Sequence, residues 1–184
     1  MGMRERREQR KAERSEFGAG GDAMRYQMRQ KLVSIGGDLW IEDGDGQRAF
    51  KVNGKALRVR RTLELEDLEG NTLCRIQTRM LHIRDTMVVE KPDGSKLATV
   101  HKALITPLRE RWKVDVEEGD DIDVQGNIVD HEYSLEIDGR KVAEVSKRWF
   151  RVRDTYGVQV NDQISPILAL AIAVALDTMT GLRD

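Results

Sequence analysis

The sequence ISPILALAIAVAL at residues 164–176 decides how the rest of this chain folds. Its last ten residues are all apolar, and the alanine and leucine that dominate them favour a helix. Ser165 before Pro166 is typical of a helix start, with Asp162 as an alternative cap. Gly181 is typical of the residue that ends a helix.

This stretch predicts a central helix over about residues 163–180, and such a helix must be enclosed, because it is apolar on every side. A membrane span needs roughly 20 apolar residues, whereas runs of about 10–14 are typical of a buried core helix. The run here falls in the second range. We therefore expect the rest of the chain to surround the helix, and we expect no integral membrane segment.

Composition limits the possible classes of protein. The 184 residues indicate one folded domain, and the net charge of −1 gives no overall attraction to nucleic acid. Cys74 is the only cysteine, which excludes an internal disulfide framework and fits a reducing compartment. The N-terminus has no apolar core of the kind found in secretory signals. We expect a cytoplasmic protein.

Residues 1–23 have a different composition from the rest, with alternating Arg and Glu followed by a glycine-rich segment. They have no apolar stripe, so we predict a disordered tail or a frayed charged helix. The tail is either idle or an arm that binds a partner, and we favour the idle tail. The single folded domain is predicted over 24–184.

A repeated unit fills this domain. An acidic residue comes directly before Gly46, Gly70, Gly94 and Gly139, and the first three glycines are 24 residues apart. Small or apolar residues recur three, four and six positions after each glycine. Each unit therefore predicts a tight turn, in which glycine supplies the positive φ, followed by a strand, a corner and a second strand.

Counting these units gives about 12 strands joined by short links. Short links indicate antiparallel neighbours, and so many twisted antiparallel strands tend to close into a barrel. A closed barrel of this size has room inside, which the apolar helix would fill. We predict a mainly β fold: a closed antiparallel barrel wrapped around a buried C-terminal helix.

The chain resembles the LURP-one-related family of the tubby C-terminal-like fold, to which phospholipid scramblases are also similar. The matching segments are MRQK at 28–31, FKVNGK at 50–55, LEDLEG at 65–70, VQGN at 124–127 and the closing helix. The resemblance covers about residues 24–182 and rests on the order of these segments. It implies a 12-stranded barrel around a C-terminal helix. Tubby proteins bind phosphoinositide headgroups through basic residues on the outside of the barrel. The matching segments do not place that site on individual residues of this chain.

Several basic residues are expected on the outer face of the barrel, from strand alternation or from their place in the repeat. They are Arg58, Arg60, Lys102, Lys147, Arg148, Arg151 and Arg153. One interpretation is an anion site for a phospholipid headgroup or a phosphate. The other, which we favour, is an ordinary solvated strand face on which Glu64 and Glu144 cancel the charge.

Arg61, Asp85 and Asp154 hold equivalent positions in the repeat, and strict alternation would turn them inward. An inward charge needs a partner, so Arg61 could pair with a carboxylate at one end of the barrel. Alternatively, these positions lie in corners where alternation breaks. We favour corners, because Pro107 lies in the corresponding corner of another unit.

Signals for catalysis are weak. His82, His101 and His131 show no metal-ligand spacing, and Cys74 takes a small-residue core position of the repeat. The sequence has no glycine-rich phosphate loop and no nucleophile elbow. We therefore expect no enzyme activity, no metal and no cofactor.

Two classes of function remain open. The first is a non-enzymatic binding module whose basic face engages anionic phospholipid, which would make the protein peripheral at a membrane. The alternative is a protein-interaction or scaffold domain with a protein partner and no small ligand. Lipid scrambling is less favoured, because the helix is short for a span. Salt should weaken headgroup binding steeply and an apolar interface little.

Overall fold

Twelve antiparallel strands form a closed barrel around one helix. The computed structural model describes residues 23–29, 38–54, 62–78, 86–103, 111–149 and 155–181. The strands are β1 (Met24–Arg29), β2 (Leu39–Asp43), β3 (Arg48–Asn53), β4 (Thr62–Glu66), β5 (Thr72–Thr78), β6 (Thr86–Glu90), β7 (Lys96–Ala103), β8 (Arg111–Val116), β9 (Ile122–Asn127), β10 (Glu132–Ile137), β11 (Arg140–Ser146) and β12 (Thr155–Val160). Each strand pairs with the next along the chain, and β1 also pairs with β12, which closes the sheet. The predicted fold class is confirmed.

The turn of the β4–β5 hairpin is held by the glycine of the repeat and by the carboxylate of Asp67, which is not Glu69, the acidic residue directly before that glycine. The N–H of Gly70 donates to the carbonyl of Asp67, and Gly70 has a φ of 86°. The carboxylate of Asp67 accepts hydrogen bonds from the backbone and side-chain N–H groups of Asn71. These bonds lower the pKa of Asp67 below its ordinary value. Glycine thus supplies a left-handed backbone, while the carboxylate holds the two ends of the turn together.

A β-bulge follows each of these turns. In the β4–β5 ladder, Leu65 pairs with Cys74 and Glu66 with Thr72, which leaves Leu73 between them as the extra residue. The corresponding extra residues in the other three units are Ala49, Leu97 and Val142. In the last unit the extra residue and its successor, Ala143, both belong to the core. The bulge therefore explains why the third and fourth positions of the repeat are both apolar or small.

The helix α1 (Pro166–Gly181) lies inside the barrel. Residues 169–176 are at most 1% exposed, and α1 contacts β5, β6, β7 and β12. The N–H of Ala169 donates to the carbonyl of Ser165, so Ser165 is the residue that starts the helix, as predicted. The helix starts three residues later than the sequence predicts and ends one later.

The barrel has two distinct ends. At the first, which we call the turn end, lie links 44–47, 67–71, 91–95, 117–121, 138–139 and 161–165. The opposite end, which we call the corner end, consists of the strand ends that are joined by residues 30–38, 54–61, 79–85, 104–110, 128–131 and 147–154. The helix follows link 161–165, so it enters at the turn end and finishes near the corner end.

Some predictions lie outside the described residues. The predicted tail is described only at Ala23. The proposed inward or corner residues Arg61, Asp85 and Asp154 are also outside, and so is Pro107. What the sequence predicts for these residues stays a prediction.

Candidate functional site

The two ends of the barrel differ sharply in the charge of the sequence that links their strands. The six links of the turn end contain ten acidic residues and one lysine. The six links of the corner end contain twelve Lys or Arg residues and five acidic residues, counted over the sequence. The helix dipole has the complementary orientation, with its positive end among the acids. The net charge of −1 is therefore divided unevenly between the two sets of links in the sequence.

Two of the predicted site residues, Lys147 and Arg148, lie at the corner end. They belong to a short 3-10 turn, Lys147–Trp149, which directly follows β11. Glu132 lies beside this turn: its Oε1 accepts from the Lys147 N–H at 3.2 Å, and its Oε2 is 3.5 Å from the Arg148 Nε. The Arg148 side chain is 70% exposed, so this pair restrains it only weakly.

Lys102 lies at the same end but not where the sequence analysis expected it. In the ladder of β7 and β8, Lys102 is opposite Trp112, which is 1% exposed. Opposed residues share a face of the sheet, so Lys102 follows the inner-face register of Ala98 and Val100, and the expected outward projection is wrong. Strand β7 is four strands from β11, roughly 19 Å along the wall at about 4.8 Å per strand.

The described site residues therefore share an end of the barrel but not a patch. Lys102 and Arg148 are too far apart around the wall to hold one phosphate group. Arg58, Arg60, Arg151 and Arg153 lie outside the described residues. In the described part of the chain, the predicted site residues therefore hold separate positions at the corner end and do not form one anion pocket.

The two carboxylates that were expected to cancel this charge each form an ion pair with a described residue of the wall. Glu64 accepts from Arg75 Nε at 3.0 Å on the neighbouring strand. Glu144 lies 3.3 Å from Lys141 Nζ. Both pairs lie on the wall of the barrel, and neither involves a predicted site residue.

A buried polar cluster at the corner end was missed by the sequence analysis. His131 ends the turn between β9 and β10, with a φ of 49°, and its Nε2 lies 2.7 Å from Asp177 Oδ1. Both residues are only 7% exposed. Asp177 lies near the C-terminal end of α1, where the helix dipole disfavours a negative charge, so it requires a donor or a cation. His131 supplies this partner.

Two tyrosines complete the cluster. The His131 and Tyr156 ring centroids are 4.3 Å apart. Burial raises the pKa of both Tyr133 and Tyr156, and the charge of Asp177 raises them further. Both phenols therefore keep their protons at neutral pH. Within the described part of the chain, the Tyr156 hydroxyl and Asp177 Oδ2 are buried and have no hydrogen-bond partner.

One signal in the sequence could have found this cluster. Asp177 is the first polar residue after the apolar run, and it is still within the predicted helix. A carboxylate there must meet a polar group of the wall. The sequence does not say which wall residue this is, because His131 is 46 positions away along the chain.

Together these features define a class of protein: a tubby-like barrel, closed by twelve antiparallel strands around a C-terminal helix. The chain belongs to the LURP-one-related family, whose profile matches residues 24–177. It is also similar to a protein from Arabidopsis thaliana whose X-ray structure is known, with a TM-score of 0.64 and 17% sequence identity. That match covers 85% of this chain and 91% of the other, and it supports the fold alone. No curated protein matches the sequence.

Two features are absent from the described residues. No helix there has both the length and the apolar character needed to cross a bilayer. No cluster of three or more His, Cys, Asp or Glu side chains in the same residues has the arrangement of a metal site.

Proposed function

We propose that this protein is a non-enzymatic binding module whose corner end meets a surface of anionic phospholipid headgroups. The observation that carries the proposal is the opposite charge of the sequences that link the strands at the two ends of the barrel. A protein of nearly zero net charge can bind an anionic surface if it turns one end toward it. The acidic turn end disfavours every other orientation.

The spacing of the basic residues supports a surface rather than a single phosphate as the ligand. Arg111, the exposed first residue of β8, and Arg148, which follows β11, are separated by three strands of the wall. A bilayer presents many headgroups, so separated cations can each find one, at about 1 kcal/mol for each Lys or Arg near the surface. Binding of this kind requires no pocket.

An apolar residue at the corner end adds a second kind of contact. Val129 lies at the tip of the turn between β9 and β10 and is 65% exposed, while Ile128 beside it is buried. An exposed valine at this end of the barrel is suited to enter the headgroup region. Leu68 is comparably exposed, at 52%, in a link of the acidic turn end, so it offers a matched control.

The test measures flotation of the purified protein with liposomes, neutral against anionic, at about 50 mM and about 150 mM salt. The variant carries Arg111→Glu and Arg148→Glu, at exposed positions of the corner end. The matched control carries Arg48→Glu and Arg140→Glu, which are exposed first residues of strands at the turn end. We expect flotation with anionic lipid only, weaker at the higher salt, lost in the first variant and kept in the second.

A second pair of variants separates apolar insertion from charge. Val129→Asn, which adds no charge, should reduce flotation at both salt concentrations, and Leu68→Asn should leave it unchanged. Equal loss in the corner-end and turn-end variants would contradict the proposed orientation. If no liposome binds the protein under any condition, the membrane proposal is wrong and the scaffold alternative is preferred. A pull-down with and without residues 1–23 is then the next measurement.

A further inference from the structure

The polar cluster at the corner end contains two buried atoms whose hydrogen bonds are not accounted for. Thr178 and Thr180 of the helix donate to carbonyl groups of their own helix, at Val174 and Leu176. Asp177 instead reaches across to the wall, where Oδ1 meets His131. Its other oxygen, Oδ2, has no partner among the described residues, and neither has the hydroxyl of Tyr156.

Leaving such atoms unpaired is costly. An unsatisfied buried donor or acceptor costs about 1–3 kcal/mol, and a charged one costs more. Most buried polar groups in native proteins are therefore paired with protein or with ordered water. Tyr156 is completely buried, and Asp177 is more than nine-tenths buried, so bulk solvent does not serve either atom.

The two atoms belong to one junction between helix and wall. The Tyr156 ring packs against the His131 ring, at a centroid distance of 4.3 Å. The same His131 ring contacts Asp177 at 2.7 Å. Tyr156 Oη can donate one hydrogen bond and accept others, and Asp177 Oδ2 can only accept while it is ionised. A molecule that both donates and accepts hydrogen bonds would satisfy the two together.

We propose that this junction is a binding site for one internal water molecule. The water donates to Asp177 Oδ2 and accepts from the O–H of Tyr156, which gives it the two polar partners that an internal water needs. Together with the His131–Asp177 contact, it forms a hydrated polar latch between the end of the helix and the wall. This inference is independent of the proposed membrane binding.

The latch would fix the position of the helix inside the barrel. Apolar contacts are not directional, so the alanine-rich middle of α1 does not by itself specify one depth or one rotation. A shift by one residue moves a helix about 1.5 Å along its axis and turns it by about 100°. Such a shift would remove Asp177 from both His131 and the water.

The test uses a high-resolution crystal structure together with NMR detection of long-lived water by nuclear Overhauser effects to the Tyr156 ring. We expect one ordered water within hydrogen-bond distance of both Asp177 Oδ2 and Tyr156 Oη. The variant Tyr156→Phe should lose this water. Tyr133→Phe is the matched control, since Tyr133 is an equally buried tyrosine of the same end, and it should keep the water.

Two results would overturn the inference. One is a direct hydrogen bond between Tyr156 and Asp177 Oδ2 in the wild-type crystal, with no water between them. The other is an unchanged water in Tyr156→Phe, which would show that Tyr156 does not form the site. The wild-type crystal decides the first point even if the variants fold poorly.

Discussion

Replacing His131 by alanine removes the partner of a buried charge, and the cost should be large. The carboxylate of Asp177 is 7% exposed and lies near the unfavourable end of the helix dipole. Breaking a buried pair by removing one partner typically costs about 3–5 kcal/mol, because the other charge is left uncompensated. For a domain of this size, that lowers the melting temperature by about 6–20 °C.

Neutralising Asp177 should rescue part of this loss. The change Asp177→Asn keeps the shape of the side chain and an acceptor for His131, so alone it should cost about 1 kcal/mol. In the double variant no charge is buried, and we expect a total cost of about 2 kcal/mol, the penalty of an unsatisfied amide. The double variant should therefore be more stable than His131→Ala alone. The backbone cost of alanine at a φ of 49° is the same in both backgrounds and cancels.

The assay is urea unfolding of the four proteins of this cycle, followed by tryptophan fluorescence, since Trp112 is buried in the folded barrel. The slopes of the transitions must agree before the free energies of unfolding are compared. Two outcomes would refute the reasoning. One is a loss below about 1 kcal/mol for His131→Ala, and the other is a double variant no more stable than that single variant.

Three further predictions concern backbone, pH and thiol chemistry. Gly126→Ala should cost about 3 kcal/mol or more in urea unfolding, because Gly126 has a φ of 128° and an added Cβ would collide with the backbone oxygen of Glu132. Gly46→Ala, with a φ of 77° and no atom within 4 Å of its Cβ, should cost only about 1–2 kcal/mol. Burial raises the pKa of Tyr133 and Tyr156, so the unfolded chain loses these protons first as pH rises. The free energy of unfolding should therefore fall above about pH 10, by up to about 1.4 kcal/mol per pH unit for each tyrosine. In Tyr156→Phe the fall per pH unit should be smaller by the contribution of one tyrosine. If urea unfolding across this pH range gives the same slope for both proteins, the assigned burial of Tyr156 is contradicted. Burial raises the pKa of Cys74 to about 12, so a thiol reagent should label Cys74 only after unfolding, and rapid labelling in native buffer would show an open barrel.

The hairpins could be read from the sequence because their chemistry is local. An acid followed by glycine is sufficient to predict a turn, and the turn at Gly70 has the predicted backbone. The bulges were visible in the same repeat but not recognised. Leu97 and Ala98 are consecutive residues that both pack in the core, and such a pair within an alternating strand indicates an extra residue.

The polar cluster could not be predicted in the same way, because it depends on how deep the helix lies in the barrel. His131 and Asp177 come together only after twelve strands have closed around α1. The histidines were compared with the spacing of metal ligands along the chain. Such spacing carries no information about the contact between His131 and Asp177. For Lys102, the register of β7 against β8 decides the face, and register is fixed by neighbouring strands.

The pairing of β1 with β12 has a consequence for the way this chain is synthesised. Met24 lies opposite Val160, so the first strand to leave the ribosome cannot pair on that side until almost all the others have emerged. The helix that fills the interior emerges later still. Until then the inner faces of the nascent strands have nothing to cover them. A chain of this topology should therefore fold slowly and late, and it should depend on chaperones that shield apolar strands during translation.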